Sequence, residues 1–281
     1  MNGNGKVSCF ELRKYYPAPA TFGSLLRLGR SKKDKKPVLE HVSFEVGAGE
    51  VFGIVGPNGA GKTTILKILS HLTSPTAGKA LVCGFDVELE WERAVRCIGY
   101  CISEERSFFW RLTGRQNLQF FADLLEVPAK AARAKINELM ELLELRKVAD
   151  ERFMNYSSGM KQKLAIARSL LADPQVLLMD EPTRGLDPRA AAKLRAFLLT
   201  YISHQNKAAV ITTNQITDVE NLCHRIAVLN RGRIIAAGSI DAISSSLREK
   251  FHIEEGPLSF ESSFSLLLEE DDLIRDRAEG V

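Results

Sequence analysis

The chain has 281 residues, 45% hydrophobic and 26% charged, with a formal net charge of +3; these ordinary globular values exclude disorder along the whole length and allow one large domain or two small ones. No stretch reaches the roughly 18 consecutive apolar residues of a membrane span, and the opening MNGNGKVSCFELRKYY lacks the apolar core of a secretory signal, so a soluble intracellular chain is expected. Five cysteines (Cys9, Cys83, Cys97, Cys101, Cys223) with no CxxC pair argue against a disulfide scaffold or a zinc ribbon.

In chain order, residues 6–12 (KVSCFEL) and 38–47 (VLEHVSFEVG) read as strands. A Pro-containing basic segment at 17–37 separates them and reads as an insertion. Within it, RLGRSKKDKK at 27–36 carries six basic residues and one acid. That block fits either a solvated surface insertion or contact with anionic lipid or an acidic partner. Nucleic acid is not expected, since no aromatics interleave it and no recognised binding module follows. EVFGIV at 50–55 is a continuous apolar run, as in a strand buried on both faces. A helix-spaced ILKILSHL follows, then strand candidates at 79–84 and 97–102. TGRQNLQFFADLL and AKAARAKINELMELLEL, between about 113 and 150, are amphipathic and predict helices. Strands are predicted again at 175–180, 208–213, 225–230 and 233–237, with a helix near 189–203. Strands alternating with helices predict an α/β fold with a mainly parallel sheet, interrupted by a helical subdomain at about 104–170. Residues 251–281 carry nine acids against Arg275 and Arg277, a net −7 that leaves +10 for the rest. LSFESSFSLLL holds enough apolar residues for partial order, whereas the closing acids are expected to be an unordered, solvated terminus.

Residues 56–63 satisfy G-x-x-x-x-G-K-[ST] between a buried strand and a helix. Gly56, Pro57, Asn58, Gly59, Ala60 and Gly61 supply a backbone that can wrap a polyphosphate, because glycine puts no Cβ in the way. Backbone N–H groups and the following helix N-terminus then face the phosphates. Lys62 is expected at the β and γ phosphates, Thr63 at Mg²⁺, and Thr64 beside them. VLLMDE at 176–181 ends an apolar strand in two acids, at the edge where open α/β sheets hold ligands. Asp180 suits the Mg²⁺ shell, and Glu181 suits a general base acting on the attacking water.

With Tyr156-Ser157-Ser158-Gly159-Met160 and the helix-like KQKLAIARSLLADP after it, the chain resembles the ATP-binding cassette (ABC) ATPases. The family signature core is Leu-Ser-Gly-Gly-Gln, so Ser157 and Gly159 match while Ser158 and Met160 depart. Ser-Ser-Gly-Met variants are familiar in members that drive exporters of polysaccharides, drugs or lipids. Gly185-Leu186-Asp187-Pro188 is similar to the D-loop, and Gly99-Tyr100-Cys101-Ile102 to the approach to the Q-loop. The resemblance spans about residues 6–240. It implies a P-loop NTPase cassette with a mainly parallel core sheet, an antiparallel β subdomain and an inserted helical subdomain. Residues 1–240 would form the cassette and 241–281 an acidic extension.

It further implies that ATP and Mg²⁺ are bound, that Ser157, Ser158, Gly159, Met160 and Asp187 contact the ATP of an opposite subunit, and that Tyr16, or alternatively Tyr15, stacks on adenine. Two positions depart from the family. Ser103 replaces the Q-loop glutamine and would reach the metal through water, unless Glu104 does so directly. Asn214 stands where the family has a switch histidine; its amide is a neutral donor that carries no charge. His204 and His224 lie nearby in sequence but outside that strand end, and read as surface or capping residues. Slow or partner-dependent hydrolysis is therefore expected.

The implied function is an ATP-binding and hydrolysing subunit in a head-to-tail dimer, a homodimer rather than a heterodimer. It would sit at the cytoplasmic face of the membrane and power a separate integral membrane permease, for export rather than import of a polysaccharide, lipid or drug-like substrate. The aromatics Phe108-Phe109-Trp110 supply either the permease contact or packing beneath the helical subdomain. The alternatives are a soluble non-transport ABC ATPase linked to translation or DNA, a regulatory cassette with weak hydrolysis, or a small-molecule P-loop kinase. One P-loop and no long heptad run weigh against the translation and repair types, and the signature and D-loop against the kinase.

Overall fold

The computed structural model describes residues 6–17, 35–102, 107–251 and 259–279. Strands β1 (Val7–Pro17) and β2 (Lys35–Val46) pair antiparallel. With β4 (Ala77–Val82) and β5 (Phe85–Asp86) they form an antiparallel sheet in the order β2-β1-β4-β5. The basic insertion is thus the connection of a β-hairpin. Its expected limits, 17–37, are corrected, because Pro17 and residues 35–37 belong to the paired strands. Residues 18–34, which include most of the basic block, lie outside the described residues.

The second sheet is built from β3 (Val51–Val55), β6 (Ile98–Cys101), β7 (Val176–Asp180), β8 (Ala208–Thr213), β9 (Arg225–Asn230) and β10 (Arg233–Gly238). Its order is β10-β9-β3-β8-β7-β6, and all pairings are parallel except β10 with β9. Side chains alternate faces along a strand, and here both faces are buried. Leu177, Met179, Ala209 and Ile211 enter one core. Val176, Leu178, Ala208, Val210, Phe52 and Ile54 enter the other, against α1 (Lys62–Leu69) and the antiparallel sheet. This double burial explains why these strands are continuous apolar runs.

Between β6 and β7 stand α3 (Gly114–Leu124), α4 (Ala129–Leu142) and α5 (Ser158–Ser169), preceded by the short α2 (Trp91–Arg96). A reciprocal capping box starts α3: the Gln116 N–H donates to Thr113 Oγ1 and the Thr113 N–H to Gln116 Oε1. Leu118, Ile136, Leu139, Met140 and Phe153 fill the space between these helices. Phe108 stacks on Phe153 at 4.8 Å and is buried, whereas Phe109 and Trp110 are half exposed. The aromatic triplet therefore divides into one core residue and two surface residues.

After α6 (Pro188–His204) and α7 (Ile216–Leu222), the chain closes with α8 (Ile240–Phe251) and α9 (Phe260–Glu279). The expectation of unordered closing acids is corrected: they lie within α9. Phe260 and Leu267 are buried against Val55, Val219, Ile226 and Val228, and that apolar face docks the helix. His204 closes α6 as an exposed residue, and His224 accepts the Val51 N–H at 3.0 Å. None of the five cysteines forms a disulfide. Among the described residues, no helix is long and apolar enough to cross a membrane.

Phe153 joins the connection between α4 and α5 to the aromatic core. Phe153→Ala is expected to cost about 3–5 kcal/mol of stability, to be read from the midpoint of urea denaturation.

Candidate functional site

Three strands end side by side and deliver the chemistry. Val55 pairs with Thr213, and Asp180 with Thr212, so β3, β8 and β7 open at one edge. From β3 the chain enters the 56–61 loop. A Cβ at Gly56 would stand 2.0 Å from the Leu229 carbonyl oxygen, so no other residue fits there. Gly61 caps α1 at φ +111°, a left-handed conformation that favours glycine. The start of α1 has no side-chain cap and its first residues, Lys62, Thr63 and Thr64, line the opening, an arrangement suited to binding anions.

A cleft of about 420 Å³ lies there, lined by Asn58, Gly59, Gly61, Lys62, Thr63, Thr64, Asp180, Glu181 and Tyr16. Nine residues named from sequence are thereby brought together. Lys62 Nζ donates to the Gly56 and Pro57 carbonyls at 2.5 and 3.1 Å. Burial pulls its pKa below the usual lysine value, opposed by the nearby carboxylates of Glu181 and Asp180. Ala60 is buried beneath the loop.

Thr63 Oγ1 donates to Asp180 Oδ2 at 3.0 Å, and Thr212 Oγ1 to Asp180 Oδ1. A hydroxyl and a carboxylate are the hard oxygen donors that Mg²⁺ prefers, so the residues present fit that ion. Among the described residues, no group of three or more His, Cys, Asp or Glu could hold a metal; Mg²⁺ would need oxygens from a bound phosphate as well. Ser103 lies outside the described residues.

Glu181 has φ +49°, a strained backbone that turns its side chain back over the cleft. Arg184 pairs with its Oε2 at 2.9 Å, and Asn214 Nδ2 approaches Oε1 at 3.4 Å while donating to Asn58 Oδ1 at 2.9 Å. The two residues expected to be catalytic, Glu181 and Asn214, therefore meet over the loop. Arg184 and Val38, both lining the cleft, were missed from sequence. The i, i+3 spacing of Arg184 from Glu181 is a usable signal for the first. Val38 carries no chemical signature of its own.

Behind this edge, the fully buried Asp218 accepts from Thr183 Oγ1 at 2.6 Å and Thr213 Oγ1 at 3.3 Å and pairs with Arg195 at 2.9 Å. These bonds tie the loop after Glu181 to the strand end that carries Asn214. Gln162 Nε2 on α5 donates to the Pro182 carbonyl at 3.0 Å, linking α5 to the same loop.

Ser157, Ser158, Gly159, Met160 and Asp187 do not line the cleft. Ser157 caps α5 through the Met160 N–H at 3.2 Å, and a Cβ on Gly159 would touch Leu186 at 3.4 Å, so the signature lies against the 185–187 loop. Asp187 caps α6 by accepting from the N–H groups of Ala190 and Arg189, which hold its carboxyl below the usual carboxylate range. Tyr16 lines the cleft with its ring 4.9 Å from the Lys14 ammonium; Tyr15 does not line it.

A family model described as ABC transporter matches residues 39–184, more than half of the chain. The chain belongs to the ABC transporter family. The Nod factor export ATP-binding protein I of Burkholderia pseudomallei (strain K96243) is 40% identical over 206 residues, covering 73% of this chain and 67% of that protein. An uncharacterized ABC transporter ATP-binding protein of Bacillus subtilis (strain 168) is 36% identical over 200 residues, 71% of this chain and 64% of that one. The daunorubicin resistance ATP-binding protein of Streptomyces coeruleorubidus is 38% identical over 212 residues, covering 75% and 66%. The matched region thus spans about two thirds of these relatives' own length. A solved ATP-binding subunit of an ABC transporter superposes with a TM-score of 0.75 at 24% identity, covering 93% of this chain and 99% of that one. A dimeric ATP-binding cassette in a post-hydrolysis state bound to ADP and Pi gives 0.71 at 24%, covering 83% and 98%. Both likenesses establish the ABC ATPase fold for this cassette.

Asp218→Ala leaves the Arg195 guanidinium, only 13% exposed, without its counter-charge. A loss of about 3–5 kcal/mol is expected in chemical denaturation, with part of it recovered in Asp218→Leu/Arg195→Met, where neither charge remains.

Proposed function

We propose that the chain binds and hydrolyses ATP as the nucleotide-binding subunit of an exporter. The observation that carries this reading is a cleft lined together by the P-loop, Asp180 and Glu181, with Asn214 bonded to two of its lining residues, Asn58 and Glu181. The N–H groups of the loop and of the start of α1 face the phosphates, and Lys62 exchanges its contacts with the Gly56 and Pro57 carbonyls for the β and γ phosphates. Tyr16 offers its ring to the adenine. Mg²⁺, held by Thr63 and Asp180, would neutralise phosphate charge when bound. Glu181 accepts the proton of the attacking water, and Asn214 holds Glu181 in place beside Asn58.

Ser157–Met160 and Asp187 stand apart from this cleft, which supports a site completed by the signature of a second copy in a head-to-tail homodimer. The Ser157 hydroxyl and the N–H groups opening α5 form the anion-binding end offered to the opposite nucleotide. Phe109, Trp110, Phe120, Leu124 and Met154 are large apolar side chains exposed on or beside the helical segment. They suit contact with an apolar partner, here the cytoplasmic face of a membrane permease. Export is supported by the Ser-Ser-Gly-Met signature and by relatives named for Nod factor export and daunorubicin resistance; a polysaccharide, lipid or drug-like cargo follows.

Lys62→Ala is expected to lose ATP binding in equilibrium titration. Glu181→Gln should keep it while turnover falls about 100-fold or more. Wild-type hydrolysis is expected to be slow without its partner and to rise in Asn214→His; fast wild-type turnover that this substitution leaves unchanged would sink the role given to Asn214. Affinity purification from detergent-solubilised membranes should recover a polytopic protein, and recovery of ribosomes or DNA instead overturns the transport reading.

A further inference from the structure

The acidic helix α9 reaches the nucleotide cleft through one turn. Its apolar residues Phe260, Phe264 and Leu267 follow helical spacing and pack against Val219, Ile226 and Val228. The acids then run along the edge of the sheet. Glu270 pairs with Lys250, Asp271 Oδ2 accepts from Asn230 Nδ2 at 2.8 Å, and Asp272 pairs with Arg231 at 2.9 Å.

Asn230 and Arg231 are consecutive residues of the β9–β10 turn. Arg231 and Gly232 have φ +45° and +85°, the two left-handed positions of a type I′ hairpin. This turn supports the P-loop from behind. The Gly232 N–H donates to the Ala60 carbonyl at 2.9 Å, and its own carbonyl accepts the Glu40 N–H at 2.8 Å. A Cβ at position 232 would come within 2.5 Å of the carbonyl of Val38, the residue that lines the cleft. Leu229, one residue before the turn, presents the carbonyl that excludes any side chain at Gly56.

The two polar links differ in strength. Arg231 and Asp272 are each about half exposed, so that ion pair contributes little. Asn230 is only 4% exposed, and a buried amide that loses its partner pays the full desolvation cost. The link that matters is therefore Asp271 to Asn230. The apolar face of α9 would hold the helix without it, so the acid serves the turn rather than the docking.

We propose that Asp271 and Asn230 are positioning residues of the nucleotide site, and that the acidic C-terminal helix sets ATP affinity by holding the 230–232 turn against the P-loop. This rests on the reading of the cleft as the ATP site. The test uses full-length protein, a fluorescent ATP analogue and hydrogen exchange of the 56–61 amides. Asp271→Ala should weaken analogue binding roughly fivefold to tenfold and speed exchange at 56–61. Asp271→Asn, which keeps an acceptor oxygen, should restore both, and Glu269→Ala, an equal change of charge at an exposed position of the same helix, should alter neither. Affinity and exchange unchanged in Asp271→Ala overturn the proposal. So does an equal effect in Glu269→Ala, or exchange that rises uniformly across the sheet. If the wild type binds no analogue, the reading of the cleft fails, and exchange at 56–61 in Asp271→Ala still decides whether the helix holds the loop.

Discussion

The parallel register of β3, β8 and β7 is the constraint from which the site follows. Adjacent strands lie about 4.8 Å apart, so pairing Val55 with Thr213 and Asp180 with Thr212 brings three chain segments to one edge within two strand spacings. A glycine-rich loop, a pair of carboxylates and an amide then emerge together without any long-range search by side chains. The register is secured by burial on both faces, because a one-residue slip would exchange Leu177 and Met179 for Val176 and Leu178 between two differently shaped cores. Hydrogen bonds across the edge refine the arrangement. Thr212 fixes Asp180, and Asp218 joins the loop after Glu181 to Thr213.

Much of this was legible because it is written in short-range patterns. The P-loop places glycines where the backbone must approach Leu229 or turn left-handed, and the buried strands are unbroken apolar runs. Helices α3 and α4 show their apolar periodicity openly. What escaped reading depends on partners brought by the fold. Val38 is an ordinary strand valine until β2 passes beside the loop. Arg184 has a sequence-near partner in Glu181, yet exposed i, i+3 pairs are common enough that the spacing alone did not mark it.

The tail is the instructive error. By composition, nine acids against two arginines describe a solvated terminus. The deciding residues were elsewhere: Lys250, Arg231 and the amide of Asn230 meet three consecutive acids of α9, and an apolar face built on Phe260 and Leu267 brings them into reach. Local net charge says nothing about cations that tertiary structure will supply. The same point applies to Phe108-Phe109-Trp110, where one backbone segment turns its first ring into the aromatic core and leaves the next two at the surface.

Glu181 shows how the cleft is poised. Its backbone is strained at φ +49°, Arg184 engages one carboxylate oxygen, and Asn214 approaches the other. A carboxylate has about four lone-pair sites, so these contacts orient the group without exhausting its capacity to accept a proton. The Arg184 guanidinium is 70% exposed, so it can leave the carboxylate for water at little cost. Asn214, by contrast, is also bonded to Asn58 on the nucleotide loop. The loop and Glu181 are thereby joined through a neutral amide, one that does not titrate at physiological pH and adds no charge of its own. Asparagine at this position brings no ionisable group to the cleft and keeps a mechanical link between the loop and Glu181.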